Sequence, residues 1–492
     1  SKRNFAPRLG FNWDPFGQGK MSVRGGVGMF FNQVEDNSWF AGVSGQYPFT
    51  TSVTLSGVTP GGGMTLPFKQ SILDTAIAGG LANVVTAPGG PELNPHTPTR
   101  YGYNLMVQQQ LPLNFSLLVG YVGAQIRHQG RGVNWQEYYP TAVEVPGQVP
   151  MVNGVPIPGA AINPNCTAEG QLTCLYWAGV GLSNANVLGS VVGVNGATAA
   201  TTPYANNCTT AVTKSCFVNT NWGGMTSILY DGNTSYNSLQ VGLERHVSSG
   251  LFARFNYTLS KCMEDSADDL PASELNGGGA AWTPSRDHGA NRHSCAFQTE
   301  HSANLSLTYD FPFGKNIKSG LEKTLISGWQ LTSLTTVNSG LPFDVRLGAN
   351  VARAANSGNG NSHPDLKPGC DTSMLINQHN PTNYINVSCL TAGTLGYLGN
   401  LGPLVLNGPA TWNTDIGLKK NFTIAESKKL QLGADMFNAF NRTNFSVPAS
   451  TVAFINQGSA ASPNLVANGG AGQITTTVTT SRQFQLGAKF TF

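Results

Sequence analysis

Charge is what this chain has least of. Asp, Glu, Lys and Arg make up 11% of its 492 residues, against roughly 25% in soluble globular proteins, which argues against an ordinary water-facing surface. Long apolar runs are missing too. No stretch of about 18 apolar residues occurs although 40% of the chain is hydrophobic, so helical membrane spans are excluded. No Lys/Arg cluster is dense enough to track phosphates, and a net charge of +3 implies no nucleic-acid partner. The sequence opens Ser1-Lys-Arg-Asn-Phe-Ala-Pro with no basic-then-apolar export signal. Everything after it reads as exported, so processing or truncation is expected to have removed the start.

What the chain does have is glycine, 59 residues of it, and eight cysteines. Low charge without apolar runs, together with Gly, Asn, Ser and Thr, is the composition of many alternating strands joined by polar loops. The cysteines fall in neighbouring pairs, Cys166/Cys174, Cys208/Cys216, Cys262/Cys295 and Cys370/Cys389. Local pairing is the simplest expectation, although sequence alone leaves connectivity open, and it implies an oxidising compartment.

The last strand carries the clearest pattern. Phe484, Leu486, Ala488, Phe490 and Phe492 share one parity and Gln483, Gln485, Gly487, Lys489 and Thr491 the other, which makes one apolar and one polar face. Bacterial outer-membrane barrels end this way, with lipid on the apolar face and a watery lumen on the polar one. The same alternation recurs from Ala6 to Asp14, Ser22 to Phe31, Tyr101 to Leu111, Asn114 to Gln125, Ser235 to Arg245, Leu251 to Ser260, Leu305 to Phe311, Trp329 to Thr336, Trp412 to Lys420 and Lys429 to Phe440. That is about eleven strands. Three hairpins, opening Tyr103-Asn-Leu, Tyr236-Asn-Ser and Trp412-Asn-Thr, read as copies of one unit, as up-and-down barrels are built.

Two regularities favour a membrane barrel over a soluble sandwich, whose inner faces would also alternate. Short connections follow Asp14, Leu111, Arg245, Phe311 and Lys420, and long ones follow Phe31, Gln125, Lys261, Thr336 and Phe440. Short periplasmic turns and long external loops give this asymmetry. All eight cysteines sit in or beside the long loops, near 32–99, 128–234, 262–300, 338–410 and 441–481. Second, Arg8, Arg24, Glu244, Arg254, Asp310, Asp415, Lys419, Asp435 and Lys489 lie on the polar parity of their strands; facing lipid at mid-depth each would cost roughly 2–4 kcal/mol. The expected fold is therefore an all-β, antiparallel, up-and-down transmembrane barrel in the outer membrane of a Gram-negative bacterium, loops outward and C-terminus periplasmic. If short turns are periplasmic, the first strand runs inward, so a further strand is expected before Ser1. Spanning sheets must close, which makes the chain part of a larger barrel or one that closes on itself or a partner.

Several stretches resemble one family: Phe5-Ala-Pro-Arg-Leu-Gly-Phe-Asn-Trp-Asp-Pro-Phe-Gly-Gln-Gly-Lys20, Ser235-Tyr-Asn-Ser-Leu-Gln-Val-Gly-Leu-Glu-Arg245, Phe311-Pro-Phe-Gly314, Gly328-Trp-Gln-Leu331, Ser339-Gly-Leu-Pro-Phe343 and Phe437-Asn-Ala-Phe-Asn-Arg-Thr-Asn-Phe445. In order and from end to end they resemble the barrel of TonB-dependent outer-membrane receptors of the Oar-like type found in acidobacteria. The resemblance implies a barrel of about 22 strands around an N-terminal plug, of which residues 1–492 would be the C-terminal barrel portion without the plug. It implies outer-membrane lipid and the barrel-insertion machinery as partners, with Phe484, Leu486, Phe490 and Phe492 as an insertion signal. TonB would be reached only through an N-terminal region outside this sequence.

Signs of other chemistry are few. Gly17-Gln-Gly-Lys-Met-Ser22 fails as a phosphate loop because Met21 separates Lys from Ser, and it reads as a turn. Glu264, Asp265, Asp268 and Asp269 offer oxygens to a Ca²⁺ ion but at no metal-loop spacing, so a solvated acidic loop is the plain alternative. His288, His293 and His301 lack metal-ligand spacing. No nucleophile and base stand in a catalytic pattern, and neither an enzyme nor a cofactor is expected. Trp135, Tyr138, Tyr139, Trp177 and Trp222 are loop aromatics that either stack on a ligand such as a glycan or pack the loops. The expected function is uptake of an external ligand; a passive pore, a surface-binding barrel and a secreted β-rich carbohydrate-binding module stand as alternatives.

Overall fold

A computed structural model describes residues 4–32, 94–134, 226–248, 250–266, 291–314, 320–348, 363–393, 399–424, 428–449, 451–457 and 464–492, with shorter pieces between them. Its main element is a single antiparallel sheet. Eleven strands follow one another in chain order: β1 (Arg8–Trp13), β2 (Met21–Phe31), β3 (Thr99–Leu111), β4 (Phe115–Asn134), β5 (Thr226–Ser248), β6 (Leu251–Glu264), β7 (His301–Asp310), β8 (Trp329–Asn338), β9 (Thr411–Thr423), β10 (Lys429–Phe437) and β11 (Gln483–Thr491). Each pairs with the next, the up-and-down arrangement that the alternating pattern implied.

The register shows why. One row of partners crosses eight strands as Val23, Val107, Val119, Val241, Tyr257, Ala303, Val337 and Trp412. The adjacent row reads Arg24, Met106, Gly120, Gln240, Thr258, Ser302, Asn338 and Thr411. Because side chains alternate across a strand, the rows stand on opposite faces. Among the described residues the apolar face is open at both ends of the sheet: Leu9, Leu486 and Phe484 are 75%, 82% and 71% exposed. The polar face is laced across strands. Arg24 Nη2 donates to Gln108 Oε1, Arg254 Nε to Glu244 Oε2 at 2.8 Å, and Gln330 Nε2 to Asp310 Oδ1 at 2.8 Å. The nine charges assigned to the polar parity all fall in this register on that face.

Two basic residues break the rule at the short-connection end. Arg245 pairs with Phe115 and Ala253, and Lys420 with Trp329 and Leu432, all on the apolar side. Long basic side chains reach from such positions toward a polar boundary: the Lys420 ammonium donates to the Ser327 carbonyl and lies 5.4 Å from the Trp329 ring centre.

The connections follow their sequence signals with two corrections. In the first turn the Asp14 carboxylate accepts from the backbone of Phe16, Gly17 and Gly19, with Gly17 and Gly19 at φ 65° and 66°; the glycines serve a turn, not a phosphate. The connection after β7, expected to be short, instead carries α1 (Leu321–Ile326), held to β8 by Trp329 Nε1 donating to Leu325 O at 3.0 Å. The aromatic-Asn hairpins are not copies in phase either. Tyr103 and Trp412 stand on the apolar face, whereas Tyr236 pairs with Ala124 and Cys262 on the polar one. Its neighbour Asn237 takes the outward place and accepts from Tyr103 Oη at 3.2 Å and Tyr121 Oη at 2.6 Å.

The buried hydrophobic cluster lies outside the eleven strands of the main sheet. Phe343, Val345, Leu347, Leu375, Tyr384, Ile385, Leu390, Leu401, Leu406, Ala453, Phe454 and Ile474 pack into one cluster. They come from stretches 338–410 and 441–481, which read as loops. These segments form a small folded cap at the long-loop end, with its own short strand pairs, Pro342–Phe343 with Leu406–Asn407 and Asp365–Leu366 with Leu390–Thr391.

Gly123 tests the register. A Cβ there would stand 2.2 Å from the Tyr103 ring, so Gly123→Val must displace that ring from its stack on Tyr121 and its bond to Asn237. The expected cost is about 1–2 kcal/mol in a denaturant titration, and Tyr103→Phe in the same background should recover none of it.

Candidate functional site

The long-loop end gathers most of the buried polar chemistry. On β4 the Arg131 guanidinium, 3% exposed, grips Asp231 of β5 through two bonds, Nε to Oδ1 at 3.0 Å and Nη2 to Oδ2 at 2.9 Å. His288 bridges the same carboxylate, at 3.3 Å, to Asp265 Oδ2 at 2.8 Å. Asp265 Oδ1 in turn accepts from the Asn233 backbone. Asp265 is therefore engaged on both oxygens by protein groups and serves as a clasp between β5 and the end of β6. Glu264, expected in a solvated acidic loop, ends β6 and is 3% exposed. Beside it burial holds the His293 imidazole below its usual range, against the Ser294 carbonyl and the carboxylates of Asp344 and Asp265. Cys262 and Cys295 are bonded, tying β6 to the segment before β7.

Among the described residues no group of three or more His, Cys, Asp or Glu is placed to hold a metal. His301 stands apart from the other two histidines, on the apolar face opposite Leu259. Asp268, Asp269, Trp135, Tyr138, Tyr139 and Trp222, with Cys166, Cys174, Cys208 and Cys216, lie outside the described residues. Trp177 ends a short strand (Leu175–Trp177) paired with Pro140–Val143. In the terminal strand Phe484, Leu486 and Phe490 pair with Met436, Ala434 and Leu430 on the apolar face, and Phe492 follows the strand at 90% exposure.

The cap is organised by groups that sequence reading passed over. Phe343, Val345 and Leu347 point into its core, yet Asp344 between them is fully buried as well. Its carboxylate accepts from Arg346 Nε at 2.7 Å and lies 2.9 Å from His363 Nε2. Burial works to raise the Asp344 pKa, but His363 and Arg346 together outweigh it and hold the group below the usual carboxylate range. A period-two signal was present in Phe343-Asp-Val-Arg-Leu347, in a stretch too short and too isolated to count as a strand. Cys370 and Cys389 are bonded across the cap.

The motif Phe437-Asn-Ala-Phe-Asn-Arg-Thr-Asn-Phe445 fastens the cap to the sheet. Asn438, at φ 47°, accepts from the Arg442 backbone and donates to the carbonyls of Arg442 and Thr480. Asn444, 1% exposed, accepts from Trp412 N at 2.8 Å and donates to Trp412 O and Thr479 Oγ1. Two asparagines thus join β9, β10 and the approach to β11.

Where cap and sheet meet, a cavity of about 780 Å³ opens, within the range that holds a small ligand. His301, Ser339 and Ala410 line its sheet side, and Thr372, Ser373, Gln378 and Tyr384 its cap side.

The model for the outer membrane beta barrel domain family matches residues 1–485. The chain belongs to that family. An outer membrane beta barrel domain accounts for a sheet with one uncovered apolar face and a charged, hydrogen-bonded opposite face. No curated protein matches. Among solved structures the barrel domain is similar to the outer membrane transporter YddB from Escherichia coli (TM-score 0.44, 10% identity, 99% of this chain and 40% of that one). It is similar to the ferric citrate transporter FecA in its unliganded form (0.35, 8%, 99% and 38%) and to BauA, the ferric preacinetobactin receptor from Acinetobacter baumannii (0.34, 10%, 99% and 36%). The chain spans less than half the length of these transporters.

Three outcomes test the cap. Asp344→Ala leaves Arg346 and His363 facing a lost partner and should cost about 3–5 kcal/mol in denaturant titration of the folded barrel. In the unsubstituted protein the folded Asp344 pKa is depressed, so its contribution is fully present above the ordinary value of 3.8 and is lost only as pH falls below that through the depressed value. Near-ultraviolet circular dichroism of the cap should accordingly hold down to about pH 4 and decline beneath it, with the Asp344→Asn protein lacking that step. Separately, Asn444→Ala strands the Trp412 backbone groups and should cost about 1–3 kcal/mol, read as a lower midpoint in the same titration.

Proposed function

We propose that this chain is the barrel portion of a TonB-dependent outer-membrane transporter of the Oar-like type, taking up an external ligand with its long loops outward and its C-terminus periplasmic. The observation that carries the reading is the asymmetry between the two ends of the sheet. At one end lie tight turns at residues 14–20 and 112–114, a connection of only five residues between β9 and β10, and the α1 connection; at the other lie a disulfide-bonded folded cap and a buried ionic clasp. A ligand-capturing structure belongs on the elaborated side, and the disulfides suit an exported chain. Charges such as Arg24, Arg254, Asp310 and Asp435 on the polar face suit a water-filled or plug-filled lumen. The family resemblance in sequence supplies the coupling to TonB, exerted through a region outside this sequence. No catalytic role is assigned.

Three measurements test this. Met374→Cys, on the cap, should react with a membrane-impermeant maleimide in intact cells, and Gln18→Cys, in the first turn, only after permeabilisation; the reverse pattern overturns the orientation. Expressed from its full reading frame, the protein should be retained by an immobilised TonB C-terminal domain. Failure of retention, with a steady open conductance in planar bilayers, would assign it as a passive pore instead. On the apolar face Val241→Arg should cost about 2–4 kcal/mol and reduce the folded fraction in heat-modifiable gel mobility, whereas Gln240→Arg on the polar face should not.

A further inference from the structure

The sheet residues lining the cavity between cap and sheet stand mostly on the apolar parity of their strands, with Glu300 alone on the polar one. His301 stands in register with Leu259 on the apolar face, where its Nδ1 lies 2.8 Å from Tyr257 Oη. Trp412 is in register with Val337 on that face, and the Arg442 guanidinium covers its ring at 5.2 Å. His301 and Arg442 both line the cavity. From its mouth the apolar rows run down the sheet through Tyr257, Val337 and Trp412, then Phe255 and Leu305. The 3₁₀ turn Thr372–Leu375 and the residues after it form the opposite wall.

The lining chemistry is specific. One carboxylate, Glu300, and one guanidinium, Arg442, cancel, and Arg442 is already spent on Trp412. A phosphate headgroup would find little to hold it. The side chains of Thr372, Gln378, His379, Asn407 and Thr443 line the same space without a hydrogen bond to any described residue. Ile376, Val405, Phe445 and Ile474 supply apolar surface between them. Neutral donors and acceptors around aliphatic and aromatic patches match a sugar ring, which has hydroxyls at its edge and C–H groups on its faces.

We propose that this cavity binds a neutral sugar ring, presented as the headgroup of a glycolipid in the surrounding outer leaflet, with the acyl chains lying down the apolar row beneath Trp412 and Val337. The continuity of the cavity with the lipid-facing rows favours the membrane over solution as the source. The proposal rests on the orientation given under Proposed function, since only outward loops bring the cavity level with that leaflet. Its ligand is distinct from any cargo captured for transport, which would enter from the polar face.

The experiment uses the full chain folded in detergent micelles and native mass spectrometry. Micelles are doped in turn with digalactosyl diacylglycerol, phosphatidylglycerol and phosphatidylethanolamine, and a separate arm offers the free digalactose. Retention of the galactolipid above both phospholipids is expected, weakened about tenfold or more in Gln378→Ala/Asn407→Ala. Heat-modifiable mobility confirms that this variant is folded, and Thr443→Trp, which fills the mouth, gives a second route to the same loss. Equal retention of all three lipids, or galactolipid retention unchanged in both variants, overturns the proposal. Retention of the free disaccharide as strongly as the galactolipid overturns the membrane source and leaves a pocket for soluble sugar. These results do not depend on maleimide labelling: periplasmic loops would sink the orientation while leaving sugar retention in micelles measurable.

Discussion

The hydrogen-bond ladder between successive strands is the constraint on which the rest depends. In hydrocarbon no water is present to satisfy a backbone amide or carbonyl, so each strand must bond to its neighbours. Because side chains alternate with a period of two, the register that satisfies the backbone also decides which residues meet lipid. From β1 to β11 the register keeps one parity on each side. A slip of β6 by one residue against β5 would turn Arg254 outward while Glu244, held by β4, stayed on the polar face, leaving one charge in lipid and the other without its partner. Among the described residues β1 and β11 each have a strand on one side only, so in a bilayer their outer edges require partners.

This constraint explains why the strands were legible in sequence and also where legibility ended. A strand between lipid and water must alternate strictly, and Leu9-Gly-Phe-Asn-Trp13 or Phe484 to Phe492 show it without any structural help. Beyond the bilayer that requirement lapses while the ladder continues. β4 runs on to Asn134 and β5 starts at Thr226, through Gly- and Asn-rich sequence that reads as loop. The register also shifts between Leu229 and Asn233, so no single period spans the whole of β5. The outward place of Asn237 in β5 is invisible to a motif comparison that aligns Tyr236 with Tyr103. Similar residues in the same order do not fix phase; the facing strand does.

The cap was illegible for a different reason. Its core gathers Phe343, Leu375, Leu406 and Ile474 into one cluster, residues remote in sequence that carry no shared periodicity. The Asp344 cluster could be suspected only once Phe343, Val345 and Leu347 were known to be buried. The paired cysteines were the one local clue: Cys370 and Cys389 close a segment that would otherwise be too small to hold a core. The acidic residues near 264–269 misled in the opposite direction. Their composition suggested an open cation loop, whereas Glu264 and Asp265 are buried by β6 and its neighbours, and Asp265 is consumed by Asn233 and His288.

The two halves of the molecule therefore obey opposite rules about polar groups, and the boundary between them is where a specific ligand site can arise. On the sheet, charges are tolerated because one face is open and wet, and Arg245 and Lys420 enter the apolar face only at the short-connection end, where their long side chains reach a polar boundary. In the cap a carboxylate is fully buried, which is sustainable only because Arg346 and His363 reach it from fixed positions. Rigid placement is what that arrangement supplies. With Asp344 anchored, Cys370–Cys389 closed and Asn438 and Asn444 fastening the cap to β9 and β10, the wall bearing Gln378 and Tyr384 stands at a set distance from His301. A mobile loop would have to be ordered at entropic cost before it could contact a ligand across that gap. Here the ordering is supplied by folding, so neutral hydrogen-bonding groups, each weak, can act together on the side of the barrel that faces lipid.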